Sequence, residues 1–266
     1  QYQVSINLSY ALGNCSLLLS ELLNVERVTE ADPIKLDLEQ NSDTHLVELN
    51  KTINETILKG TSDYDTVIIP DLFLDQNPFT IQILSRDNKG RPTLCYMRIP
   101  LLEIGGLSLI NLEYYLMHYM LQFLGFSYEN FDYFPTKPYY TSFDERMKLN
   151  TNYINTSKVL EVAKKYYNCQ NITGIPLENQ DNNNTALWDA RLLLEDIMSS
   201  YKYKYRADQV ISEFTLALLE DSDWYKVNYY TGGLMRFGKN KGCEFIYNRC
   251  SEKFKNEFCE NRDTFS

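Results

Sequence analysis

Between residues 66 and 125 the hydrophobic pattern changes period, and this limits the fold more than any other feature of the chain. Thr66-Val-Ile-Ile69, Thr80-Ile-Gln-Ile-Leu84 and Leu94–Ile99 are short apolar runs, the last two joined by the polar turn Asp87-Asn-Lys-Gly90, which is how strands read. Leu112–Phe123 then runs without Gly or Pro and stops at Gly125, as a helix with its C-terminal cap does. Val159–Tyr167, Leu187–Ile197 and Val210–Leu219 are further helix candidates. Strands first and helices later predict an α+β protein: an N-terminal mixed sheet with helices, then a mainly helical C-terminal part, changing over near Gly105-Gly106. Residues 1–10 alternate strictly, with Tyr2, Val4, Ile6, Leu8 and Tyr10 on one side, the pattern of a half-buried strand.

The compartment follows from cysteines and sequons. Cys15, Cys95, Cys169, Cys243, Cys250 and Cys259 form no C-x-x-C pair, so three disulfides in an oxidising environment suit them better than a metal cluster. N-x-[ST] sequons begin at Asn7, Asn14, Asn50, Asn54, Asn155, Asn171 and Asn183. Together these point to a secreted or cell-surface glycoprotein that has passed through the secretory pathway. The N-terminus has neither an initiator Met nor a signal peptide, which fits a processed mature end and a trimmed sequence equally. A net charge of −10 argues against nucleic acid or an anionic membrane surface as partner. No apolar run approaches the roughly 20 residues of a spanning helix.

One helix carries the chemistry. In Leu116-Met-His-Tyr-Met-Leu-Gln-Phe-Leu-Gly-Phe-Ser127 a single histidine, His118, is followed by Tyr119 and, one turn on, by Gln122. A zinc protease helix would read H-E-x-x-H, two histidines one turn apart with a general-base glutamate. From these residues alone an inert protease, an unusual live one and an apolar helix with a core histidine all stay open.

Five segments resemble a known family: Gly90-Arg-Pro92; the His118 helix through Leu124-Gly-Phe-Ser127; Ala186-Leu-Trp-Asp with Glu195-Asp-Ile-Met198; Thr215-Leu-Ala-Leu-Leu-Glu-Asp-Ser-Asp-Trp-Tyr225; and Phe237-Gly-Lys-Asn-Lys-Gly-Cys-Glu-Phe245. In this order they resemble the leishmanolysin family, surface zinc metalloproteases of the metzincin type, over roughly residues 60–260. The resemblance implies a metzincin-like fold, with a protease-like subdomain at 1–127 and a C-terminal subdomain at 128–266 that holds a long aromatic loop and a Met-turn-like segment. A further family domain is expected to be absent after Cys259.

Carried over residue by residue, the first zinc histidine falls on His118, the general base on Tyr119, the second histidine on Gln122 and the third on Leu187, while Met198 stands at the Met beneath the metal. Catalytic zinc needs three protein ligands and an open position, and hydrolysis needs a base near the bound water. The expectation is therefore no zinc, no cofactor and no enzyme: a pseudoprotease with a structural, self-assembling or adhesive role. The alternatives are a peptide- or protein-binding module, or a metallopeptidase using other residues. The family pattern further implies a Cys169–Cys243 disulfide, leaving Cys15–Cys95 and Cys250–Cys259. Strand 1–10 is expected first to complete its own sheet; the alternative is self-association, the strand adding to a neighbour's sheet edge to build a filament. Other surface proteins remain possible partners.

Overall fold

The computed structural model describes residues 2–36, 55–74, 78–145, 148–178, 186–199, 209–230, 232–248, 252–254 and 257. Two compact units form, one from Gln1–Pro135 with Ser222–Asn228, the other from Thr136–Asp221 with Tyr229–Ser266. The sequence places a boundary at 127; the contacts carry the first unit on to Pro135 and return a short later segment to it.

The first unit opens with α1 (Tyr2–Leu22) and β1 (Leu23–Val25). The expected strand at 1–10 is thus a helix. Leu8, Ala11, Cys15 and Leu22 are its buried residues, spaced by helical turns, and no proline interrupts a run rich in leucine. The two-residue alternation of residues 2–10 ends at Ala11-Leu12, and the longer helical period decides the segment. The donor strand on which the filament rested is therefore not formed. Val67–Phe73 (β2), Thr80–Arg86 (β3) and Pro92–Pro100 (β4) make a mixed sheet in the order β2-β4-β3. β4 runs parallel to β2 and antiparallel to β3. The β3–β4 turn is fixed by Asp87, whose carboxylate accepts from the Lys89 and Arg91 amides and pairs with the Arg91 guanidinium at 2.9 Å. Gly90 sits there at φ +83°, with the Tyr133 ring 2.9 Å from where a Cβ would stand, so only glycine fits. Val28, Ile34, Leu36, Leu84, Leu94 and Tyr96 form the core over this sheet.

Leu109–Leu124 (α2) follows. Ser108 caps it, its side chain accepting from the Asn111 amide, and the Gly125 and Phe126 amides both close onto the Leu121 carbonyl. α1 lies against it: Cys15 donates to the Glu113 carbonyl oxygen at 3.4 Å and the Asn14 amide to the Glu113 carboxylate. Late in the chain Tyr225–Val227 (β5) comes back to pair with β1.

The second unit holds an antiparallel sheet of β6 (Tyr139–Asp144), β7 (Leu149–Ile154) and β8 (Ile175–Pro176). Its helices are α3 (Ser157–Tyr167), α4 (Glu213–Glu220) and the short α5 (Cys243–Tyr247). Asp221 caps α3, its carboxylate accepting from the Lys158 and Val159 amides. Trp188, Tyr167, Phe214 and Phe245 are among the largest fully buried side chains. The helix expected at Leu187–Ile197 does not form: Trp188 bridges both Leu177 and Ser199, and Asp196 bridges Val210. The architecture is α+β.

Cys169 and Cys243 are disulfide-bonded, with Cα atoms 5.0 Å apart. The expected Cys15–Cys95 bridge is not made; both are buried free thiols. Because residues 2–22 are helical, Cys15 faces Glu113, whereas Cys95 lies mid-strand in β4 opposite Ile68 and Ile83. Burial, with Glu113 nearby, pushes the Cys15 thiol up to about 12, and burial raises Cys95 further. Neither is a nucleophile at neutral pH. Cys250 and Cys259 lie outside the described residues, as do Asn50, Asn54 and Asn183. Asn14, Asn155 and Asn171 are exposed and Asn7 is half-buried on α1.

Candidate functional site

Helix α2 positions three of the expected site residues in the first unit. His118 and Gln122 are 6% and 8% exposed and stand one turn apart, with 3.1 Å between the two Nε2 atoms. An amide nitrogen donates, so with the Gln122 amide in this orientation His118 Nε2 is the acceptor. Gln122 thus occupies His118 Nε2. Tyr119 meets the His118 ring edge-on at 5.3 Å between centroids, stacks on Phe79 at 3.6 Å and meets Tyr115 edge-on at 5.1 Å. Tyr115 in turn donates to the Glu103 carboxylate. Phe79 directly precedes β3, so the aromatic trio fastens the start of that strand to the helix.

The far end of α2 is held by a residue that the sequence reading missed. Asn130 is fully buried. Its side-chain amide donates to the Gln122 and Phe123 carbonyls, both at 2.9 Å, while its oxygen accepts from Arg86 at 2.8 Å. It thus closes two carbonyls that a helix C-terminus leaves open and joins them to the last residue of β3. A Ser127-x-x-Asn130 spacing just past a Gly-terminated helix is the available signal.

Leu187 and Met198 belong to the second unit. Leu187 is buried and its carbonyl accepts from the Glu178 amide at 2.8 Å. Met198 is fully buried; its carbonyl accepts from the Trp188 amide and its own amide donates to Asp196 Oδ1 at 2.6 Å. Asp196 organises this turn. It also accepts from the Ser212 amide and hydroxyl and from the Thr215 hydroxyl, and Thr215 accepts from the Trp188 indole at 2.9 Å.

Burial of Asp196 outweighs these donors and raises its carboxyl from 3.8 to about 6. A carboxyl raised on folding makes the folded chain bind protons more tightly than the unfolded one. Its contribution to stability is greatest below pH 3.8 and is lost as pH rises through 6, a change of about 3 kcal/mol. Urea unfolding of wild type and Asp196→Asn at pH 4 and pH 7 reads this directly. Wild-type stability relative to the variant should fall across that interval; a constant difference would contradict the assignment.

The family resemblance implies zinc, and the four carried-over positions do not fit it. His118 is engaged by Gln122, Gln122 is a neutral amide, and Leu187 has no donor atom, whereas a catalytic zinc needs three ligands. Among the described residues no group of three His, Cys, Asp or Glu side chains is placed to hold a metal.

Comparison with known proteins bears on the same point. The family model described as leishmanolysin (peptidase M8) matches residues 6–265. The leishmanolysin-like peptidase of Drosophila melanogaster is 34% identical over 99 residues, 36% of this chain and 14% of that protein. That of Caenorhabditis elegans is 35% identical over the same length, again 36% and 14%. Leishmanolysin of Leishmania tropica is 22% identical over 188 residues, 69% of this chain and 28% of its own length. The chain therefore spans well under two thirds of the relatives it matches. These matches overturn the expectation that the chain is not an enzyme: the family is one of peptidases, relatives carry that name, and the substitutions at three positions, 119, 122 and 187, do not outweigh a match over almost the whole chain.

Proposed function

The chain belongs to the leishmanolysin family, and from that premise we propose that it engages extended peptide segments of other proteins along the outer edge of β3, at the cell surface or outside the cell. The observation that carries this reading is the asymmetry of the sheet's two edges. β2, at one edge, contains Pro70, which has no amide to donate and discourages strand addition. β3, at the other edge, has neither Pro nor Gly, and among the described residues no strand pairs with its outer side. Ile81, Gln82 and Ile83 are half-buried, leaving side-chain surface beside the free main chain, as strand addition requires. The register shift after Ile83 limits the usable edge to its first half, which begins at the Phe79–Tyr119 stack. The secretory sequons and the Cys169–Cys243 bridge support the location. A metzincin-like arrangement of the unit accords with a mixed sheet lying beside the His118 helix. Among the described residues no helix is long and apolar enough to cross a membrane.

Hydrogen exchange with and without an unstructured polypeptide ligand tests the proposal. Amides within residues 80–83 should gain protection, with an affinity on the order of micromolar for a short added strand. Mass analysis of the recovered polypeptide, with and without added zinc, shows in the same sample whether it is cut or returned whole. A bound polypeptide that leaves residues 80–83 unprotected would sink the reading.

A further inference from the structure

The second unit carries an open cleft of about 270 Å³ that the β3 edge leaves unexplained. Its floor is the β6–β7 hairpin, where the cross-strand partners Tyr140 and Tyr153 stack with centroids 5.4 Å apart and planes 16° from parallel. Its walls bring Phe143 and Tyr247, 51% and 45% exposed. Two such rings left half in water beside a cleft are a surface shaped for a ligand.

What lies at the rim identifies the occupant. Residues 171–173 read Asn-Ile-Thr, a sequon, and each polar end of it is tied to the cleft. The Tyr247 hydroxyl donates to the Asn171 carbonyl at 3.0 Å, and the Tyr140 and Thr173 hydroxyls are 3.2 Å apart. Gly174 lets the segment approach this closely, since a Cβ there would stand 2.8 Å from the Tyr153 Cβ. Cys169, two residues before Asn171, is bonded to Cys243 at the start of α5, the helix that bears Tyr247. Asn171 itself is exposed.

We propose that this cleft holds the first sugars of an N-linked glycan carried by Asn171. Transfer forms a bond from the Asn171 side-chain nitrogen to C1 of the first sugar. It breaks the bond from that carbon to the pyrophosphate of a lipid-linked oligosaccharide donor and releases the amide proton. It takes place on the unfolded chain, before Tyr140 engages the Thr173 hydroxyl. On folding, the C–H faces of the sugar ring lie against Phe143 and Tyr247. The Asp144 and Glu145 carboxylates and the Ser142 hydroxyl, all lining the cleft, receive the sugar hydroxyls. The glycan becomes part of the unit's packing instead of a free surface chain. This inference is independent of peptide binding at β3.

The test uses the full chain secreted from a eukaryotic host, which exposes every sequon to the transferase. The folded protein is treated with an endoglycosidase, and release from Asn171 is compared with release from Asn155, an exposed sequon that does not line the cleft. Asn171 is expected to be modified and to release its glycan about tenfold more slowly, the factor that two aromatic contacts supply. Phe143→Ala, at an exposed position, should bring the two rates together while the Cys169–Cys243 peptide linkage persists. A bare Asn171 beside a modified Asn155 would overturn the proposal. Equal rates in the wild type, or a slow Asn171 unaffected by Phe143→Ala, would do so as well.

Discussion

Replacing Cys169 and Cys243 together by serine is expected to lower the stability of the second unit by roughly 4 kcal/mol, the chain-entropy value for a loop of this length. The bridge joins residues 74 apart in sequence, and within that span lie α4, the Asp196 turn and Trp188. It acts on the unfolded chain, so the loss should appear as a lower urea midpoint with little change in native contacts. Arg191 shares the task of holding the far end, donating to the Phe245 carbonyl at 2.9 Å and to the Ile246 carbonyl. The unit should therefore remain folded at 25 °C in the variant, though closer to its midpoint. An unchanged midpoint under oxidising conditions would show that the bridge closes no loop of consequence.

Trp188→Ala should cost about 3–5 kcal/mol, as removal of a fully buried indole does. Trp188 is 0% exposed. Two bonds centre on it, its amide donating to the Met198 carbonyl and its indole to the Thr215 hydroxyl, and it faces Leu177 across a bridge whose bonds are made by its neighbours Leu187 and Asp189. Truncation opens a cavity and leaves the Thr215 hydroxyl without its indole donor beside a buried carboxylate. Trp188→Phe keeps most of the volume and loses only the indole hydrogen bond, so the difference between the two variants separates packing from polar satisfaction. A loss below about 1 kcal/mol for Trp188→Ala would mean that the Asp196 turn reorganises around the gap.

The parts of this fold that were legible were those whose signal is local. β2, β3, β4 and α2 follow from runs of one period ended by a turn or glycine, and the β3–β4 turn is announced by Asp87 and Gly90. Helix α1 was misread because ten residues with period two outweighed the next twelve, although Leu8, Ala11, Cys15 and Leu22 carry the spacing that wins. The segment 187–197 has apolar residues at helical spacing, but its backbone groups are taken by bridges to Leu177, Ser199 and Val210, partners distant in sequence that no local pattern reveals. For the site, the histidine kept at 118 and the substitutions at 119, 122 and 187 were plain from the sequence. The Gln122–His118 hydrogen bond, the Tyr119–Phe79 stack and the buried Asn130 required coordinates. The Cys15–Cys95 pairing, left over once Cys169 was matched with Cys243, failed because Cys15 lies on α1 against Glu113 while Cys95 lies mid-strand in β4.

The return of Ser222–Asn228 to the first unit has a consequence for the order of events on the ribosome. β1 has no partner until β5 is made; Trp224 must arrive to donate to the Lys89 carbonyl, and Tyr225 to reach the Leu124 carbonyl at the end of α2. The N-terminal portion therefore emerges with its closing piece still unsynthesised, and residues 136–221 of the second unit are made in the interval. Such long-range closure slows folding and leaves apolar surface uncovered while translation proceeds. A nascent chain halted anywhere before residue 228 is a clientele for chaperones, and a gene fragment ending at 135 encodes a sheet and helix deprived of their clasp.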